Sequence, residues 1–141
     1  MKYHPTAVAG AFVVEIERRE DQRGFFGRSF CHDEFERYGL VAAVRQCSIS
    51  HNRESGTLRG LHGQRAPYEE VKLVRCTRGS VYDVMVDLRR GSPTYLAHAG
   101  LELTARNHLA VYVPFGVIHG FLTLEDDTEL FYQMSESHVE D

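Results

Sequence analysis

The chain has 141 residues and a formal net charge of −4, with 43% apolar and 26% charged residues, the composition of an ordinary globular domain. A chain of this length buries a core of its own, which excludes disorder, and its acidic balance argues against general nucleic-acid or anionic-membrane binding. No apolar run approaches a membrane span, MKYHPTAVAG lacks a signal peptide's apolar stretch, and Cys31, Cys47 and Cys76 are too scattered for a disulfide framework or a clustered zinc site, so cytoplasm is the default compartment.

Short-range periodicity dominates and predicts strands. Residues 11–17 (AFVVEIE) open with one, and Asp21-Gln22-Arg23-Gly24 supplies a turn. Residues 32–38 (HDEFERY) form the one helical segment, with Phe35 and Tyr38 three apart and Gly39 as the stop. Residues 45–50 and 57–61 read as strands around the polar loop 51–56. Further strands follow at 71–76, 80–88, 97–103, 109–113, 117–122 and 129–134, set apart by Gly79, Gly91-Ser92-Pro93 and Ala105-Arg106-Asn107. Turn signals recurring about every ten residues fit an all-β sandwich or barrel. No linker or repeat divides residues 1–141, so the expectation is one antiparallel domain with a frayed polar end at 135–141.

Four stretches carry chemistry. In LRGLHGQ (58–64), Gly60, His62 and Gln64 share a strand face; Arg59 points the other way unless a bulge or the glycines reorient it. A structural, hydrogen-bonded His62 is the plain alternative to a functional one. In VKLVRC (71–76), Lys72 alternates with Val74 and Cys76. It is one of only two lysines beside 14 arginines, and a lysine buried among apolar neighbours becomes a useful donor or acid, whereas on an edge strand it merely snorkels to solvent. In VPFGVIHGF (113–121), a turn at Pro114 and Gly116 leads into a strand with His119, where Gly120 leaves room for a ligand. In ELFYQM (129–134), Tyr132 is a barrel-lining aromatic whose hydroxyl can also give a proton. Arg23, Arg28 and Arg59 suit a diphosphate if they meet at a cavity mouth, although singly each reads as a surface charge. No glycine-rich phosphate loop is present, which argues against nucleotide hydrolysis and nicotinamide chemistry.

Taken in order, DQRGFFGRSF, RQCSIS, GTLRGLHGQ, EEVKLVRCTRGSVYDVMVDLRRGSPTY and LAVYVPFGVIHGFLTLEDDTELFYQMSE resemble the dTDP-4-dehydrorhamnose 3,5-epimerases over nearly the whole chain, from about Gly10 to Glu136. The resemblance implies a cupin-type jelly-roll β-barrel that works without metal or organic cofactor, as a homodimer that exchanges strand contacts. Its implied substrate is a dTDP-linked 4-keto-6-deoxyhexose, whose carbonyl acidifies the protons on C3 and C5. His62 matches the family base, Lys72 the residue that steadies the enolate, Tyr132 the acid on the far side, and His119 a second cavity histidine near the sugar. Arg23 and Arg59 match diphosphate contacts, Gln46 and Ser48 lie where the family meets the nucleotide, Phe25 and Phe26 match an aromatic pair at the base end, and Arg28 and Gln64 complete the implied substrate contacts.

Three departures stand out. Gly63 replaces the tyrosine of the family's HYQ, Arg28 takes a position that is commonly acidic, and the family pattern runs on beyond Asp141 into a Trp-Asn-Asp-like segment whose aspartate orients the base. Asp83 is expected to pair with Lys72 or an arginine rather than replace that aspartate. Three other readings share many of the same residues. One is a related proton-transfer enzyme (a ketoisomerase, a cyclase or a single-site epimerase). Another is a metal cupin built on His62, His119 and Glu69, for which glutamine is a poor substitute ligand. The last is a sugar-nucleotide-binding cupin without catalysis.

Overall fold

In a computed structural model of the protein, which describes residues 1–140, twelve strands and one helix follow each other along the chain. A six-stranded antiparallel sheet has the order β1 (Lys2–Pro5), β2 (Phe12–Glu15), β10 (Ala110–Val113), β7 (Lys72–Arg78), β12 (Thr128–Met134), β5 (Gln46–Asn52). Facing it is a four-stranded sheet ordered β6 (Leu58–His62), β11 (Val117–Thr123), β8 (Ser80–Asp87), β9 (His98–Thr104). A hairpin of β3 (Arg18–Asp21) and β4 (Gly24–Gly27) pairs only with itself. The result is an all-β jelly roll of cupin type, as expected, with its helix α1 at His32–Arg37. No helix among the described residues is long and apolar enough to cross a membrane.

Strand alternation explains where the two cores sit. On β7, Val74 and Cys76 enter the core between the sheets with Val111, Met85, Phe121 and Leu130, while Leu73 on the opposite face joins Tyr112 and Phe35 in a second cluster under α1. All four residues of β10 are buried because both faces are covered, so its sequence AVYV shows no polar alternation. Phe35, 1% exposed, is the helix's one buried residue and packs edge-on against Tyr3, Phe30 and Tyr112. Gly39, at φ +69°, ends the helix as its sequence position predicts.

Two elements escape the sequence reading. β1 is four residues long, polar and docked as an edge on β2, too short to show a period. The β3–β4 hairpin closes on the predicted turn, but its exposed strands RRED and GFFG lack an inward apolar face.

Candidate active site

Between the sheets opens a cleft of about 380 Å³. One wall is the six-stranded sheet, where antiparallel register sets side chains in rows: Met134 stands between Gln46 and Lys72, and Tyr132 between Ser48 and Val74. The other wall is the four-stranded sheet, where His119 stands between His62 and Met85. Lys72 and Tyr132 therefore face His62 across the cleft, with Arg59, Gln64 and His138 also lining it.

Arg59 owes its place to a bulge. The β6–β11 register shifts between His119 and Phe121, so Arg59 and His62 both reach the cleft. Gly60 makes this possible at φ +97°: a Cβ there would come within 2.8 Å of the Gly120 Cα and the His119 carbonyl oxygen. Gly120 is correspondingly filled from β6, since a Cβ on it would sit 2.6 Å from the Arg59 carbonyl oxygen. The space at Gly120 thus admits a neighbouring backbone rather than a ligand, which corrects the sequence reading. Asn52, 2% exposed, accepts from Arg59 Nε at 2.7 Å and donates to the Thr128 carbonyl at 3.2 Å, which fixes the guanidinium at the cleft.

His62 is exposed at the cleft, yet packing around its ring, and then the positive charges of Lys72, His119, His138 and Arg59, push its pKa down to about 4. At neutral pH it is an uncharged imidazole able to accept a proton. Lys72 is 6% exposed, and its Nζ lies 3.0 Å from Glu70 Oε1. The other Glu70 oxygen is buried without a partner. An ammonium carries three donors, so one contact to Glu70 leaves others for a ligand oxygen. Burial, and then the charge of Asp83, hold the Tyr132 phenol well above its ordinary value, so it keeps its proton until a strong base calls for it.

His119 lies behind the cleft wall, 0% exposed, its ring centroid 5.5 Å from that of His62 and 5.9 Å from that of Tyr132. Its Nδ1 is 3.3 Å from Asp83 Oδ2. Asp83 therefore pairs with His119, not with Lys72 or an arginine, because diagonal neighbours across β8 and β11 share the inner face. Among the described residues no carboxylate pairs with His62, and no three His, Cys, Asp or Glu side chains converge on a common point.

Gln46 and Gln64 line the cleft, but their amides are engaged by the chain itself. Gln46 Oε1 accepts from the His138 amide at 2.9 Å, and Gln64 accepts from the Val139 amide at 2.7 Å while donating to the Ser137 carbonyl at 3.2 Å. Arg23, Phe26 and Arg28 are not brought to this cleft by their own chain. Arg23 folds back on Asp21 at 2.6 Å, Arg28 pairs with Glu34 at 3.1 Å, and Phe26 is 76% exposed on the hairpin. Sequence reasoning missed Glu70, Asn52 and His138. Strand alternation held a signal for two of them, since Glu70 precedes Lys72 by two and Asn52 continues the row Gln46, Ser48, Ser50.

Comparison with known proteins adds a family. The model of the dTDP-4-dehydrorhamnose 3,5-epimerases matches residues 5–141. The chain is 37% identical over 135 residues to the dTDP-4-dehydrorhamnose 3,5-epimerase of Sinorhizobium fredii, spanning 96% of this chain and 69% of that protein. The solved enzyme of that name from Elizabethkingia anophelis superposes with a TM-score of 0.96 at 37% identity, over 99% of this chain and 76% of the other. The Bacillus anthracis enzyme, solved with TDP and PPi bound, gives 0.94 at 38% identity, over 99% of this chain and 80% of the other.

Proposed function

The chain belongs to the dTDP-4-dehydrorhamnose 3,5-epimerase family, and from that premise we propose that it epimerises a dTDP-linked 4-keto-6-deoxyhexose at C3, C5 or both, without a cofactor. One observation carries the reading: neutral His62 on one sheet confronts protonated Tyr132 and the Lys72 ammonium on the other. A sugar lying between the walls would lose a proton from the carbon beside its keto group to His62. The negative charge moves to the carbonyl oxygen, where Lys72 meets it. Tyr132 then returns a proton from the opposite wall, and the carbon inverts. Arg59 at the cleft is placed to hold the diphosphate, with Gln46 and Ser48 toward the nucleotide.

The remaining substrate contacts belong to a second copy of the chain. Arg23, Phe26 and Arg28 sit on or just after a hairpin that adds to neither sheet of its own chain, and Phe26 is a large exposed aromatic. A homodimer in which each hairpin reaches the partner's cleft would use all three. Light scattering should then give twice the chain mass, and Phe26→Asp should shift it toward the monomer; a monomeric parent protein would contradict this arrangement.

Incubation with dTDP-4-keto-6-deoxyglucose in D2O tests the reaction. Deuterium should enter C3, C5 or both, and His62→Asn should slow its entry by about 10²–10⁴-fold. No exchange in the parent protein would remove the epimerase reading.

A further inference from the structure

Glu70 is a buried carboxylate that the proton transfers leave unused, and it is only half satisfied. It is 7% exposed, and its one polar side-chain contact among the described residues is the 3.0 Å approach of Oε1 to Lys72 Nζ. Oε2 is buried with no hydrogen-bond partner. A buried polar atom left without a partner is costly, and elsewhere the fold avoids that cost. Asp87 receives Arg89, Ser92 and Thr94 across both of its oxygens. Asp83 Oδ1 is the other buried carboxylate oxygen without a donor among the described residues, but Asp83 lines neither the cleft nor the cavity beside it. Glu70 lines both, the second being a space of about 890 Å³ that shares His62, Gln64 and Lys72 with the cleft.

The backbone holds Glu70 and Lys72 in step. Val71, between them, is tied to Ser135 twice: its amide donates to the Ser135 hydroxyl at 2.8 Å, and its carbonyl accepts from the Ser135 amide at 3.0 Å. These bonds carry the β7–β12 pairing one residue past Lys72 and Met134. Two residues apart on an extended chain, the Glu70 and Lys72 side chains leave on the same side, and both reach the cleft.

We propose that Glu70 and Lys72 together read an α-hydroxy ketone: Lys72 donates to the keto oxygen, and Glu70 accepts from the hydroxyl on the neighbouring carbon. A donor and an acceptor 3.0 Å apart match two oxygens carried on adjacent carbons. A carboxylate offers about four acceptor sites, so the single contact to Lys72 leaves capacity for a hydroxyl. In a 4-keto-6-deoxyhexose only C3 carries such a hydroxyl beside the carbonyl, because C5 bears the ring oxygen and the methyl group. Glu70 therefore sets which way the ring lies in the cleft and selects sugars with a free 3-hydroxyl. When the proton leaves C3, both oxygens lie in the plane of the enolate and the same two side chains hold them. The hydroxyl keeps its own proton throughout.

The part played in turnover rests on the proposed epimerase reading, whereas recognition of the hydroxyl is read by binding alone. Calorimetry compares dTDP-4-keto-6-deoxyglucose with its 3-deoxy analogue. The parent protein should prefer the hydroxylated sugar by about 10²-fold, since the analogue leaves the Glu70 carboxylate short of a donor. Glu70→Gln, with unchanged dTDP affinity as the sign of an intact fold, should cut that preference to less than about tenfold. If that variant does not fold, Glu70→Asp, which withdraws the oxygens by one carbon, should narrow it as well. In D2O, Glu70→Gln should slow exchange at C3 more than at C5. Displacement of Lys72 would not produce that difference, because both carbons depend on the same keto oxygen. Equal affinity of the parent protein for the two sugars overturns the proposal, whatever the variants do. So does a folded variant that keeps the parent's preference, or one that slows C3 and C5 alike, which would leave Glu70 as the partner of Lys72 alone. Absence of exchange in every form would remove the epimerase reading and leave the two affinities to decide the role of Glu70.

Discussion

His62 can take a proton only while uncharged, and its folded pKa of about 4 lies below the ordinary histidine value of 6.5. The rate should therefore hold as pH falls through 6.5 and decline only near 4, whereas an unperturbed histidine would begin to lose it already near 6.5. Stability follows the same sign. Between those values the unfolded chain binds the proton and the folded one does not, so acidification from 6.5 toward 4 favours unfolding. A rate profile with its acid limb at 6.5 would contradict this electrostatic account. Lys72 acts on the other partner in the reaction. Lys72→Ala should lower kcat by about 10²–10³-fold, as loss of an oxyanion donor does, with dTDP binding by calorimetry retained. A near-normal rate would take Lys72 out of the chemistry. Both residues could be read in the sequence, Lys72 as a cation in an apolar run and His62 from the strand face it shares with Gly60 and Gln64. Which partner each would meet could not. Asp83, Lys72 and His119 lie on three different strands, and only the register of β8 against β11 assigns the carboxylate to the histidine.

At the scale of elements, the β6 bulge matters most for the site. Gly60→Ala would set a Cβ against the backbone of Gly120 and His119 at a φ of +97°, which should cost about 1–3 kcal/mol in urea unfolding and displace Arg59 and His62 together. The bulge is why strict alternation, which turns Arg59 away from His62's face, fails there. A second device closes the far end of β8. Asp87, 0% exposed, receives Arg89 Nε and Nη2 at 2.8 Å, Ser92 Oγ at 2.6 Å and Thr94 Oγ1 at 2.7 Å, while Arg89 also donates to the Ala9 carbonyl at 2.6 Å. These donors hold the carboxylate well below its usual range, so their contribution is present above the unfolded aspartate pKa and persists well into acid. Asp87→Ala should cost about 3 kcal/mol of stability, since it strands a partly buried arginine and two hydroxyls. An unchanged urea midpoint would show the knot to be incidental.

For the whole molecule, nine of the twelve strands, the single helix and the all-β packing follow from turn spacing and alternation, while the short β1 and the β3–β4 hairpin do not. What the chain's own pattern conceals is the arrangement of the walls. His62 and Tyr132 are 70 residues apart, and their confrontation exists only because β6 and β12 belong to opposite sheets. That confrontation is the central claim, and the stereochemistry of Tyr132→Phe tests it most directly. With dTDP-4-keto-6-deoxyglucose in D2O, the parent protein should yield labelled, inverted carbon. The variant, with its base intact and no donor on the far wall, should incorporate deuterium while largely keeping the starting configuration. Labelled, inverted product from Tyr132→Phe at the parent rate would contradict the account.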